Sequence, residues 1–266
     1  IGGDGSLSGT NEFRGEWAQH VAELAAEGVI SAETAAAHPA LIIVGLVGSI
    51  DNDMVGTDMT IGADTALHRI LDAIDQLTST AASHQRTFVV EVMGRHCGYL
   101  PLMAAVAGGA DYVFTPEDPA GPGWQDELAE HLRLGREAGR RESIVLVAEG
   151  AHDRDGNELS TQLIADTIQE RTGEDARVTI LGHVQRGGTP SAYDRWMSTL
   201  LGYAAVQEIL ASSAEDEPVI LGVRRNRITR IPLMKAVHDT RAVKDLIAAG
   251  DYAAAQASRG SSFSSM

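Results

Sequence analysis

Short apolar runs that stop at glycine or at a charged residue constrain the fold of this chain more than any other feature. They lie at residues 41–47, 87–93 and 143–148, and the second is apolar apart from Glu91. Apolar runs of this length, bounded by turn residues, are typical of strands that are buried on both faces of a parallel sheet. Helical patterns alternate with these runs, so the sequence predicts an open α/β fold with mainly parallel sheets.

The helical segments are recognised by apolar side chains that recur every three or four residues. The clearest helix is predicted at residues 63–82, where one apolar stripe is formed by Leu67, Ile70, Leu71, Ile74 and Leu77. Further helices are predicted at residues 11–27, 31–38, 124–142, 161–172 and 192–212.

The first apolar run leads into two carboxylates, Asp51 and Asp53, within the segment Gly48-Ser49-Ile50-Asp51-Asn52-Asp53. Ligands of α/β sheets bind beyond the carboxyl ends of the strands. This segment is therefore expected to lie at a catalytic edge, with Asp51 as a possible general base. Asn and Asp also favour plain turns, so an Asx-rich turn remains an alternative for this segment taken alone.

A glycine-rich segment opens the chain with Gly2, Gly3, Asp4, Gly5 and Ser6. The backbone N–H groups of glycines can approach a phosphate closely, and a following helix would add its positive N-terminal end. Asp4 could ligate Mg²⁺, which usually takes one or two carboxylates together with substrate phosphates. A flexible terminal loop is the alternative interpretation.

Composition excludes several classes of partner. The chain of 266 residues has a formal net charge of −16, which argues against nucleic acid and anionic membranes as main partners. No apolar run approaches the roughly 18 residues of a membrane span, and no signal-peptide pattern is present. The single cysteine, Cys97, excludes an intrachain disulfide framework. One thiol suits the reducing cytoplasm, where we expect the protein to work.

Charged residues also stand at the ends of the other predicted strands. They are Arg95, Glu149, His183 and Arg186 after strands, and Arg86 and Arg177 at the beginnings of strands. A planar guanidinium group can bind two oxygens of one phosphate at once. Because this acidic chain places arginines at strand ends, it is expected to bind a small phosphorylated ligand. The Walker sequence GxxxxGK[ST] is missing, which excludes a P-loop enzyme.

Five segments resemble the 6-phosphofructokinase family, and they occur in that family's order. They are Gly2-Gly3-Asp4-Gly5-Ser6, Gly48-Ser49-Ile50-Asp51-Asn52-Asp53, Met93-Gly94-Arg95-His96, Ala148-Glu149-Gly150 and Leu181-Gly182-His183-Val184-Gln185-Arg186-Gly187-Gly188. The resemblance extends over essentially the whole chain and is strongest to the catalytic half of the eukaryotic-type enzymes. It implies an allosteric glycolytic kinase that transfers a phosphoryl group from Mg-ATP to the 1-hydroxyl of fructose 6-phosphate.

The resemblance implies a role for each residue around the transferred phosphoryl group. Asp51 would be the general base on the sugar 1-hydroxyl, and Arg95 would face the phosphoryl group and contact the sugar phosphate. Ser49 would help to position the phosphoryl group, and Asp53 would belong to the metal-side cluster.

Other positions are implied to bind the sugar phosphate itself. Met93, Gly94 and Glu149 would contact fructose 6-phosphate, and His183 and Arg186 would hold its 6-phosphate.

The nucleotide and its metal are implied to bind at the first motif. Gly3, Gly5 and Ser6 would line the ATP phosphates, and Asp4 would lie beside Mg²⁺. Arg86 and Arg177 match arginines that reach into the active site of a neighbouring subunit, so the resemblance also implies a homo-oligomer with shared sites.

The implied architecture is the phosphofructokinase fold, with two Rossmann-like three-layer domains. A nucleotide-side domain is expected at residues 1–62, continued by about 185–236, and a sugar-phosphate domain at residues 63–184, completed by about 237–266. The family's first strands and first nucleotide loop precede the GGDGS segment. We therefore expect the first domain to be incomplete, the chain to be truncated at its N-terminus, and the fragment to be inactive alone.

Two glycines bear on the phosphoryl donor. Pyrophosphate-dependent relatives carry Asp in place of Gly5 and Lys in place of Gly48, so these residues favour ATP. A pyrophosphate-dependent enzyme and a catalytically silent regulatory half that binds sugar phosphates are the alternatives. The presence of Asp51 argues against the silent half.

The bacterial effector site is poorly matched. Thr78 and Glu142 stand where basic residues are expected. Arg140 and Arg141 either bind an effector phosphate or are exposed charges at a helix end.

Overall fold

The computed structural model describes residues 1–260 and 263 of this chain. The chain divides into two compact units, which are described separately. Unit 1 consists of Ile1–Ser49, Met54–Ile61 and Arg195–Ala242, and unit 2 of Ile50–Asp53, Gly62–Asp194 and Val243–Met266. The end of the expected second domain, at residues 261, 262 and 264–266, lies outside the described residues.

Helices and strands alternate along most of the chain, as the sequence predicts. In chain order the elements are α1 (Asp4–Ala26), α2 (Ala32–Ala37), β1 (Val44–Leu46), β2 (Gly48–Ser49), β3 (Ile61–Gly62), α3 (Ala63–His84), β4 (Thr87–Val92), α4 (Tyr99–Gly108), β5 (Tyr112–Phe114), α5 (Trp124–Glu137), β6 (Ser143–Ala148), α6 (Thr161–Thr172), β7 (Ala176–Ile180), a 3₁₀ helix (Gly182–Arg186), α7 (Ala192–Ala211), β8 (Val219–Arg224), β9 (Arg227–Pro232), α8 (Leu233–Ala248) and α9 (Tyr252–Arg259).

Unit 2 contains a four-stranded sheet in the order β5-β6-β4-β7, and all its strand pairs are parallel. Apolar side chains of α5 and α6, among them Leu128 and Ile164, pack on the sheet residues Val89 and Val145. Helices α3 and α4 contact each other; α3 also contacts β4 and β6, and α4 contacts β5 and β6. The buried residues Ile70 and Ile74 confirm that the predicted stripe of α3 faces the core. The predicted α/β class is confirmed.

Unit 1 contains a three-stranded sheet in the order β1-β8-β9. Strands β1 and β8 are parallel, and β8 and β9 are antiparallel. Leu7 of α1 and Leu233 of α8 are buried against this sheet with Val47 and Ile220. A Cβ on Gly45 would lie 2.8 Å from a methyl of Leu7 and 2.9 Å from a methyl of Ile220. Glycine at this position therefore lets α1 pack closely on the strand.

Two predicted boundaries in unit 1 are wrong, and one strand of this unit was not predicted. The strand expected at residues 41–47 is limited to β1, and the helix expected to begin at residue 11 begins at Asp4. Strand β9, which directly follows β8, was not predicted. The β8–β9 turn uses Arg225 and Asn226, with φ of 51° and 60°. A two-residue hairpin turn requires this left-handed conformation, and Asn adopts it readily, but arginine gives no turn signal.

Within the described part of the chain, no helix is both long and apolar enough to cross a membrane.

Candidate active site

Asp51 lies in a turn that follows β2, named here the Asp51 turn (residues 50–53). Its residue exposure is only 5%, and its Oδ2 atom is 3.7 Å from Nε of Arg95. Burial, and secondly the charge of Asp53, raise the pKa of the Asp51 carboxyl from 3.8 to about 6. The guanidinium groups of Arg95 and Arg186 oppose this rise. A carboxylate of this basicity is ionised at neutral pH and still accepts a proton readily.

Arg95 belongs to a second turn, the Arg95 turn (residues 94–98), which follows β4. The N–H of Cys97 donates to the carbonyl of Gly94 at 2.8 Å, and the N–H of Arg95 donates to Oε2 of Glu149 at 3.2 Å. Gly94 has a φ of 149°, and a Cβ there would lie 2.2 Å from the carbonyl oxygen of Cys97. Only glycine fits this position without moving the turn.

The predicted phosphate ligands His183 and Arg186 lie on the 3₁₀ helix after β7, and both are exposed. Gln185, between them, is 1% exposed. Its Oε1 accepts from the N–H of Met93 at 3.2 Å, and its Nε2 donates to the carbonyl of Gly182 at 2.9 Å. Gln185 thus attaches the 3₁₀ helix to the end of β4. The sequence pattern indicates no role for Gln185, since a single glutamine among exposed residues carries no separate signal.

These contacts bring together most of the residues expected to bind the sugar phosphate. The strands β4, β6 and β7 are parallel neighbours, so their carboxyl ends lie at one edge of the sheet. Met93, Gly94, Arg95, Glu149, His183 and Arg186 follow these three ends. Asp51, which is buried, contacts Arg95 of this edge. A buried carboxylate beside an edge that carries two arginines suits proton transfer next to a bound anion.

Arg86 and Arg177 lie at the other end of the same strands. Thr87, next to Arg86, is paired with Ala176, next to Arg177. Both guanidinium groups contact Oδ2 of Asp175, at 2.6 Å and 3.0 Å. A strand of this length spans about 20 Å, so the two arginines lie far from Arg95 in their own unit.

In unit 1 the glycine-rich motif forms the start of α1. Gly3 is the N-cap residue, and no side chain caps the helix. The N–H groups of Asp4, Gly5 and Ser6 lie in the first turn, where N–H groups have no acceptor within the helix. A Cβ on Gly3 or Gly5 would meet nothing within 4 Å among the described residues. Internal packing therefore does not require these glycines, and the arrangement suits an anion at the helix end.

Asp4 is the predicted magnesium ligand. Its Oδ2 atom is 3.1 Å from Nε of Arg241 in the same unit. No group of three or more His, Cys, Asp or Glu side chains with metal-binding geometry occurs among the described residues. Mg²⁺ bound through substrate phosphates and water needs only one or two carboxylates, so Asp4 fits such an ion if the ion displaces Arg241.

Two further predicted positions have packing contacts in unit 1. The carbonyl of Ser49 accepts from Oγ1 of Thr60 at 2.5 Å. A Cβ on Gly48 would lie 3.1 Å from a methyl of Ile1. Close packing is therefore a second reason for glycine at position 48, and its effect on the choice of donor stays a prediction.

The suggested effector arginines are not equivalent. Arg140 forms an ion pair with Asp111 on unit 2, whereas Arg141 is exposed. The pairing gives Arg140 a structural contact, and an effector role for either residue stays a prediction.

Comparison with known proteins identifies relatives of this chain. The family model described as Phosphofructokinase matches residues 1–209. Human liver-type ATP-dependent 6-phosphofructokinase is 51% identical over 99% of this chain and 34% of the human protein. ATP-dependent 6-phosphofructokinase 1 of Caenorhabditis elegans is 49% identical over 99% of this chain and 32% of the worm protein. The chain thus spans about a third of the length of these curated relatives.

Solved structures show the same relationship. The phosphofructokinase structure from Saccharomyces cerevisiae superimposes with a TM-score of 0.95 and 49% identity, over 98% of this chain and 35% of the yeast chain. A pyrophosphate-dependent phosphofructokinase from Marinobacter aquaeolei, with a TM-score of 0.64, 20% identity and coverage of 82% and 56%, shares the fold. A family match over most of the chain shows that this chain belongs to the phosphofructokinase family.

Proposed function

We propose that the protein transfers the γ-phosphoryl group of ATP to the 1-hydroxyl of fructose 6-phosphate. The observation that carries this proposal is Asp51, a buried carboxylate with a pKa of about 6 that lies beside Arg95. The names of the curated relatives, which are ATP-dependent 6-phosphofructokinases, support the choice of substrate and donor.

In the proposed reaction, Asp51 accepts the proton of the 1-hydroxyl as its oxygen attacks the γ-phosphorus. The bond from that phosphorus to the bridging oxygen breaks, and ADP leaves with the electron pair. Arg95 stabilises the negative charge on the transferred group, because one guanidinium group can donate hydrogen bonds to two phosphate oxygens at once. Positioning and charge stabilisation supply most of the acceleration of phosphoryl transfer.

The remaining residues of the sheet edge bind the sugar phosphate in this proposal. His183 and Arg186 hold the 6-phosphate through their exposed donors. Met93, Gly94 and Glu149 orient the sugar. Gln185 supports them, since it links the 3₁₀ helix to Met93.

The nucleotide phosphates bind at the start of α1. The N–H groups of Gly5 and Ser6 donate to them, and Gly3 leaves room for their approach. Mg²⁺, when bound beside Asp4, offsets the charge of the phosphates. Asp53 is proposed to lie on the side of the site where Mg²⁺ binds. Ser49 is proposed to lie beside the transferred phosphoryl group.

The arginines at the far end of the sheet complete the proposal. Because Arg86 and Arg177 lie about 20 Å along the strands from Arg95, they suit the active site of a neighbouring subunit better than their own. We therefore propose a homo-oligomer. Its single thiol, Cys97, supports a separate proposal, that the protein works in the reducing cytoplasm.

The test is turnover by the full-length natural protein with fructose 6-phosphate and either ATP or pyrophosphate. We expect ADP and fructose 1,6-bisphosphate with ATP and no turnover with pyrophosphate. Turnover with pyrophosphate alone would identify a pyrophosphate-dependent enzyme. Calorimetric binding of fructose 6-phosphate without turnover would identify a silent regulatory half.

A further inference from the structure

A buried ion pair of unit 2 lies outside the residues assigned above. Arg259, the last residue of α9, places Nε 3.0 Å from Oε1 of Glu117, in the loop after β5, and their side chains are 6% and 0% exposed. The side chain of Gln256 donates to the carbonyl of Glu117 at 3.1 Å. A buried charge pair needs further hydrogen bonds to offset its desolvation, and these bonds lead to the candidate active site.

The donors of Arg259 contact both turns of the site. One donates to the carbonyl of Asp53 in the Asp51 turn, and Nη2 donates to the carbonyl of His96 in the Arg95 turn at 3.0 Å. The second oxygen of Glu117 accepts from the N–H of Gly98 at 2.9 Å. The ion pair therefore ties the two turns to each other and to α9.

Both turns contain a non-glycine residue in the left-handed conformation. Asn52 has a φ of 51°, and Arg95 has a φ of 53°. Such residues keep this conformation only when their surroundings hold it. Arg259 donates to the carbonyl of the residue directly after each of them, Asp53 and His96.

The close approach of the pair to the Arg95 turn depends on Gly98. A Cβ at that position would lie 2.9 Å from Oε2 of Glu117 and 2.5 Å from Cβ of Thr115. The turn, the loop and the ion pair are thus packed as one assembly, in which a change in Arg259 reaches the backbone of both turns.

We propose that Arg259 and Glu117 are positioning residues of the reaction, which hold the turns that carry Asp51 and Arg95 in their strained conformation. The proposal rests on the proposed function for its kinetic consequence only. Lysine cannot replace Arg259, because one ammonium group cannot reach the three acceptors that the guanidinium fork serves.

The test compares Arg259→Lys with Arg136→Lys in the full-length natural protein. Arg136 is a matched control, because it contacts Glu174 through Nε and Nη2, each at 2.8 Å, within the same unit and away from the two turns. We expect Arg259→Lys to lower kcat by about 100-fold with a smaller change in KM, since small displacements of reacting groups are costly. Arg136→Lys should leave kcat unchanged.

Hydrogen exchange provides a readout that does not depend on turnover. In Arg259→Lys the amides of residues 50–53 and 94–98 should exchange about tenfold faster, while those of β6 stay protected. Arg136→Lys should leave both turns as they are. Unchanged exchange in the turns, or a kcat equal to that of the parent, would overturn the proposal.

The two proposals can fail separately. If the parent itself does not turn over with ATP, the proposed function fails, while the exchange comparison still decides whether Arg259 holds the turns. If Arg259→Lys does not fold, Glu117→Gln keeps the volume of the side chain and carries the same readouts. In that variant, faster exchange in the Arg95 turn supports the proposal, and unchanged exchange contradicts it.

Discussion

Replacing Asp51 by asparagine should abolish most of the activity and at the same time stabilise the protein at neutral pH. The side chain keeps its size but loses its charge. The general base is then absent, so kcat should fall by about 10²–10⁴-fold. The stability gain has a separate cause, which is the burial of the ionised carboxylate in the parent protein.

The gain in stability can be worked out from the raised pKa. Well below pH 3.8 the carboxyl is protonated in both the folded and unfolded states, so its burial carries no charge penalty. As the pH rises towards the folded-state value of about 6, the unfolded state releases its proton first, and the parent loses stability. The loss amounts to about 0.5 kcal/mol at pH 4 and about 3 kcal/mol at pH 7.

The assay is urea unfolding of the parent and of Asp51→Asn at pH 4, 5, 6 and 7. The free energy of unfolding of the variant, minus that of the parent, should rise by about 2.5 kcal/mol over this range. Asp75→Asn, which removes an exposed carboxylate from α3, is the matched control and should show no such rise. A difference that is flat with pH, or that falls, would refute the burial argument, and a normal kcat would refute the role as base.

Three further changes test other parts of the site. Gly5→Ala should stabilise α1 by about 0.5 kcal/mol yet raise KM for ATP about tenfold, and an unchanged KM would remove the first turn from the nucleotide site. Gly94→Ala should cost about 3 kcal/mol in urea unfolding, because its Cβ meets a carbonyl oxygen. Gly139→Ala, at a φ of 94° but with open space around the added Cβ, should cost about 1 kcal/mol. Subunits with Asp51→Asn, co-expressed with Arg177→Ala subunits, should recover activity in mixed oligomers, and no recovery would mean that sites are not shared.

The sequence alone predicted the elements whose pattern is local. The strand Ser143–Ala148 and the helix Thr161–Thr172 have the predicted bounds. A buried strand and an amphipathic helix can each be identified from the spacing of their own apolar residues. The charged residues after the strands could also be assigned to one edge of the sheet, because the carboxyl ends of parallel strands lie at the same edge.

Other features depend on partners distant in the chain. Helix α1 begins at Asp4 rather than at residue 11, although glycines weaken its first turn, because Leu7 packs into the core of unit 1. Strand β9 forms by pairing with β8, and its own residues alternate too weakly to reveal it. Local propensity did not predict either, because tertiary packing decided both.

The chemistry of the site divides in the same way. The sequence by itself determined that Asp51 follows a strand, that arginines follow others, and that glycines open the chain, because these depend only on residue order. The tertiary structure decided the basicity of Asp51, which requires burial. It also decided the support that Gln185 and the Arg259–Glu117 pair give to the active-site turns. Burial and long-range hydrogen bonds join residues far apart in sequence, and no local pattern records them.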